Sequence, residues 1–161
     1  LRFRRLSGQA GLSLIELVIA MAILAVLASA VLPMAEVTVR RTKEIELRRS
    51  LRVMRTAIDA YKTDYDLAVS KKKILTSINE TGYPESLDIL LEGNDWGGLF
   101  TFKKRYLRRI PKDPFDNYDE GWGMRSVEDD PDTTVWGGDN VFDVYSQSDD
   151  IGLDGTPYNS W

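Results

Sequence analysis

The stretch Gly11-Leu12-Ser13-Leu14-Ile15-Glu16-Leu17, running on into VIAMAILAVLASAVLPMA (Val18–Ala35), decides how this chain is read. After Glu16, the nineteen residues from Leu17 to Ala35 carry no charge, and only Ser29 and Pro33 interrupt the apolar run. As a helix they would span roughly 28 Å, about one hydrocarbon core. Arg2, Arg4 and Arg5 precede the run with no acid among them. The positive-inside rule then keeps that flank in the cytoplasm and sends the rest outward. A secretory signal peptide fits poorly, because the run is long for such a core and no short cleavage segment follows it. An ordinary single-span anchor is the simpler alternative. Two features speak for something more specialised. Glu16 puts a carboxylate at the membrane edge, which is costly unless paired, and Gly8-Gln9-Ala10-Gly11 forms a small flexible junction ahead of it.

Beyond Pro33 no turn signal appears until about Ser70. Leu47, Leu51, Met54, Ile58, Tyr61 and Tyr65 recur at spacings of 4, 3, 4, 3 and 4, a one-faced helical stripe. Arg48, Arg49, Arg52, Arg55, Asp59 and Lys62 fall between them on the solvated side. The pattern predicts a single helix over residues 13–66, roughly 80 Å long. Its N-terminal half has to lie in lipid or against other copies, and its C-terminal half offers a face to a sheet. Pro33 removes one intrahelical hydrogen bond and is expected to kink or loosen the helix.

Composition excludes several functions. The chain has 161 residues, a formal net charge of -4, no Cys and no His. Disulfides, thiol nucleophiles, Cys- or His-based zinc sites and His proton shuttles are all ruled out. Charge is segregated: residues 1–112 carry 20 basic and 12 acidic groups, whereas residues 113–161 carry 13 acids and only Arg125. The basic cluster Arg40-Arg41…Arg48-Arg49 suits anionic headgroups or acids on a neighbouring subunit. It has no aromatic platform beside it, so no nucleic-acid partner is expected.

Shorter elements follow. Lys71–Lys73 reads as a hinge, and Ile74, Leu75 and Ile78 as a short amphipathic piece. Pro84 marks a helix start, with an apolar face at Leu87, Leu90 and Leu91. The prolines of Tyr106–Phe115 forbid a central strand. Residues 121–125 and 141–146 are the best strands, the second alternating 142, 144 and 146 against 141, 143 and 145. Trp122, Trp136 and Trp161 read as packing aromatics.

Arg4-Arg5…Gly11-Leu12-Ser13-Leu14-Ile15-Glu16-Leu17 resembles the class III prepilin signal of type IV pilins and type II secretion pseudopilins. Leu12 and Ser13 stand where that family usually has Phe and Thr. Gly82–Leu91 is similar to the YP-x-x-L-x-x-L stretch of major (G-type) pseudopilins, and Tyr106–Phe115 resembles their YL-x-x-(I/L)-P-x-DP-(W/F) signature. The resemblance implies an α+β pilin-like fold, a long N-terminal helix packed on a small antiparallel β-sheet. It implies a leader at 1–11, a transmembrane and assembly helix at 12–36 and a periplasmic or extracellular head at 37–161. Within the head it implies helix to about 68, a loop and short helix over 74–92, and a small sheet with an acidic loop over 106–161. A prepilin peptidase would cut between Gly11 and Leu12, after which the new N-terminus is methylated. Glu16 would then meet that amine on a neighbouring subunit, with Leu12 and Pro33 also serving assembly.

Asp149, Asp150 and Asp154 lie among glycines, and hard oxygen donors on such a loop suit Ca²⁺. The spacing is not that of an EF-hand, and a solvated turn is the other reading. In many major pseudopilins the corresponding loop binds Ca²⁺. By that match Asp150 and Asp154 are the better ligands, with Asp149 and Ser146 weaker. The acidic run Glu128–Asp132 reads as an exposed loop. An enzyme is disfavoured, because the acids fall in turn-like segments with no His to relay protons. The resemblance implies a structural subunit of a type II secretion pseudopilus, with a type IV pilin or a subunit of a DNA-uptake machine as the alternative. Its partners would be other copies, minor pseudopilins, an inner-membrane assembly platform and, before assembly, lipid.

Overall fold

The computed structural model describes residues 13–77 and 80–161, leaving aside the side chains of residues 30, 32 and 33. The elements are α1 (Leu14–Ser70), α2 (Leu87–Glu92), β1 (Trp122–Arg125), β2 (Asp143–Ser146) and a 3-10 turn, Tyr158–Ser160. The chain forms two compact units, one up to Arg40 and one from Arg41 to Trp161. The fold is α+β, with the long helix and a small two-stranded antiparallel sheet that the sequence led us to expect.

The core of the second unit grows from the 4-3 stripe. Leu47, Met54 and Ile58 are fully buried, and Leu51, Tyr61 and Tyr65 nearly so. They join one cluster with Leu90, Leu107, Phe115, Trp122, Val141, Val144 and Tyr158. This apolar burial, at about 25 cal/mol per Å², is the main stabilising term for a domain with no disulfide. In the sheet, β1 and β2 pair from Trp122↔Ser146 to Arg125↔Asp143. Gly123 lies opposite Tyr145, and a methyl group there would overlap the tyrosine ring.

Several local expectations shift. The helix runs four residues past 66, and the chain leaves it through Lys72 at φ 54. Residues 74–77 form no helix, and Leu75 points into solvent. Helix α2 begins at Leu87 after Ser86 rather than at Pro84. Pro84 is instead held as extended chain, its carbonyl accepting Val141 N–H at 2.7 Å. The alternation in β2 fails because Val144, Tyr145 and Ser146 are all buried. Both faces of the strand are covered there: Arg125 lies 4.0 Å over the Tyr145 ring, whose hydroxyl donates to Thr134 O.

One buried polar chain fastens the long loop to α1. The Trp96 indole N–H donates to the Tyr106 hydroxyl, which donates to Asp64, each at 2.7 Å. Lys104 adds an ion pair to the same carboxylate. Trp96 adopts φ 54, an unusual conformation for a bulky residue. Edge-on contacts with Tyr61 and Tyr65 hold it there. Burial pushes the Tyr106 hydroxyl well above the ordinary tyrosine range, and donation to Asp64 adds to the shift. With its native pKa above its unfolded value, Tyr106 contributes stability that is complete below about pH 10 and lost as pH rises beyond it. Tyr106→Phe strands the Trp96 N–H and leaves Asp64 with Lys104 alone, a cost of about 1–3 kcal/mol at neutral pH. Urea unfolding from pH 8 to 11 should show a steeper alkaline loss in the parent than in the variant.

Candidate assembly helix and C-terminal loop

At the start of α1, Ser13 Oγ accepts the Glu16 N–H at 3.2 Å, and Ser13 O accepts Leu17 N–H at 3.1 Å. Ser-x-x-Glu is the capping-box spacing, so the first turn is closed by its own residues. Glu16 is the only acid of that turn and is exposed. A carboxylate there also complements the helix dipole.

From Leu14 to Val39 every large apolar side chain described is exposed, from 52% at Val37 to 81% at Leu14. The segment is long and apolar enough to cross a membrane. Its hydroxyls are satisfied from within: Ser29 donates to Val26 O and Thr38 to Met34 O, both at 2.8 Å. Such back-bonding lets a helix sit in lipid or among other helices without an unmet polar group. The arrangement suits association. Pro33 lies within the helical run, its side chain outside the description, and Gly11 and Leu12 fall outside the described residues.

The four residues expected to hold a cation do not converge. Asp154 Oδ2 pairs with Arg48 at 2.9 Å, and its Oδ1 accepts both the backbone N–H and the hydroxyl of Thr156. Ser146 is fully buried, its oxygen accepting Ser148 N–H at 3.2 Å. Asp149 and Asp150 are exposed, and Asp150 contributes its carbonyl to Tyr158 N–H rather than to a cage. Among the described residues no group of three or more Asp, Glu, His or Cys side chains forms a metal centre. As placed, the set does not fit Ca²⁺, which needs several oxygens turned to one point.

What holds the loop instead is α1. Arg48 stacks 4.0 Å over the Trp161 ring. Arg55 bonds Asp143 at 2.6 Å and Trp161 O at 2.7 Å. Glu44, 6% exposed, accepts Leu153 N–H at 2.7 Å and the Tyr158 hydroxyl at 3.0 Å. Neither Glu44 nor Asp64 was singled out in the sequence. The available signal was an acid standing on the apolar stripe, three residues before Leu47 and three after Tyr61.

Hydrogen bonds from the Thr156 side chain and backbone, and then Arg48's charge, hold the Asp154 carboxyl below its ordinary value. The native pKa is depressed, so this fastening is present above about pH 4 and lost as pH falls further. Asp154→Ala should lower the melting temperature by the same small amount in Ca²⁺ and in EGTA, since the pair is exposed. A fall seen only in Ca²⁺ would contradict the arginine-held loop. Glu44→Leu, which strands two donors, should cost about 1–3 kcal/mol in either buffer, with Glu44→Gln recovering most of it.

The chain matches the family described as the prokaryotic N-terminal methylation motif over residues 6–32. That match spans the Gly11 junction, the Ser13–Glu16 cap and most of the exposed apolar helix. No curated protein and no solved structure matches the chain significantly. The N-terminal segment is thus similar to the prepilin-type motif of type IV pilin-like and pseudopilin subunits, which are processed by a peptidase and assembled into filaments.

Proposed function

We propose that this protein is a structural subunit that polymerises through α1 into the pseudopilus of a type II secretion system, which drives proteins across an outer membrane. The observation that carries the reading is the methylation motif coinciding with an exposed apolar helix whose first turn holds one carboxylate. A peptidase cut between Gly11 and Leu12 would place the new amine four residues before Glu16. In a low-dielectric setting, that amine on one copy and Glu16 on the next are costly apart and cheap together. The pair therefore sets register more than it adds net stability. Before assembly the helix would sit in the inner membrane, N-terminus cytoplasmic and head periplasmic, until the assembly platform and minor subunits draw it into the fibre.

The similarity of Tyr106–Phe115 to the pseudopilin signature and the absence of Cys support the secretion machine. A type IV pilin or a subunit of an extracellular appendage or DNA-uptake machine is the alternative that the same motif supports. Neither reading rests on calcium at the C-terminal loop.

Glu16→Ala should abolish filament incorporation, seen by electron microscopy of sheared cells, while membrane fractionation stays unchanged. Normal filaments from that variant would remove the register role.

A further inference from the structure

The Arg41–Trp161 unit carries a cleft of about 1160 Å³ between α1, α2 and the segment leading into β2. Its floor is aromatic, with Tyr61, Tyr65, Tyr83 and Trp96. Glu80, Glu85, Glu92, Glu128 and Asp139 line it, and no Lys or Arg does. Glu80 accepts Ser77 N–H and Glu128 accepts from the Asn140 amide. Glu85, Glu92 and Asp139 have no hydrogen-bond or ion-pair partner among the described residues. Burial pushes the Tyr61 hydroxyl above its ordinary value, and the charges of Glu85 and Glu80 push it the same way. A cation already sits at this aromatic edge: Lys62 Nζ lies 5.6 Å from the Tyr65 ring centre and 5.8 Å from that of Tyr83. Tyr61, Tyr65 and Trp96 are buried there and Tyr83 is half-buried, so it is the unpaired carboxylates at the rim that favour a guanidinium or ammonium group.

The same chain supplies a matching surface elsewhere. Lys103–Lys112 reads KKRYLRRIPK, six basic residues in ten and no acid. Lys104 is engaged by Asp64 and Lys112 by Asp119. Arg108 and Arg109 are exposed and have no hydrogen-bond or ion-pair partner among the described residues. They stand on a turn stiffened by Pro111, so little chain entropy is lost when they dock.

We propose that the acidic aromatic cleft of one copy receives the Arg108-Arg109 turn of a second copy. Cleft and turn are different patches, so the contact is heterologous and can add copies one after another. This deepens the filament function proposed above and rests on it. It also gives the head a role in assembly alongside the apolar helix.

The absence of native cysteine makes the test clean. Full-length chains carrying Glu85→Cys and Arg109→Cys, in membranes and in detergent, are oxidised and run on non-reducing gels, with each single variant as control. A ladder of multimers from the double variant alone is expected. In that double variant, Arg108→Glu should cut the ladder about tenfold or more, and adding Glu92→Lys with Asp139→Lys should restore it. Monomers only, an adduct to a protein of another mass, or reversal without effect would each overturn the docking. Filament counts on the same cells read the proposed function separately: a ladder without filaments would sink the filament reading alone, and filaments without a ladder the docking alone.

Discussion

The organisation of this chain follows from an apolar surface on α1 at which every large apolar side chain described from Leu14 to Val39 is exposed. Between Leu14 and Val39 the described side chains of α1 meet no core, and two hydroxyls turn back onto their own helix rather than outward. In water such a surface is unfavourable by about 25 cal/mol for each Å² exposed. It has to be covered by lipid, by other helices, or by each in turn. Glu16 in a first turn closed by Ser13 makes the surface directional as well as apolar. That combination suits a structural subunit that associates through this helix.

The rest of α1 obeys a second constraint, which is to present one apolar face while carrying charges that fasten a short, sparse sheet. Two strands of four residues supply few backbone bonds, so the long loops are held by polar anchors on the helix. Glu44, Arg48, Arg55 and Asp64 each reach a segment about forty or more residues away. Glu44 and Asp64 are buried, and a buried carboxylate is tolerable only with its donors in place. They specify where the loops lie; the aromatic and aliphatic cluster supplies most of the stabilisation. An arginine-held terminal loop also makes head stability sensitive to ionic strength and acidity.

How much of this was legible in the sequence depends on the range of the interaction. The helix and its buried face follow from the spacing of Leu47 to Tyr65, which is local, and strand positions near 122 and 144 follow from composition and turns. The start of α2 was misplaced because Pro84 is claimed by Val141, a partner nearly sixty residues on. Alternation in β2 failed because Arg125 and the Thr134 segment cover its second face. At the terminal loop, three acids among glycines look the same in sequence whether they face a cation or an arginine. The pairing of Asp154 with Arg48 on α1 is recorded by no spacing within the loop. Trp96 and Asp64 were missed for the same reason, since each becomes structural only when Tyr106 arrives between them.

The central claim is that the apolar helix ends up against other copies of itself. A helical reconstruction of filaments sheared from cells expressing the chain tests it directly. The account predicts a central bundle built from residues 14–40, with the Arg41–Trp161 units around it. Filaments with that segment at the periphery, or a chain that stays a solitary membrane anchor under the same expression, would contradict it.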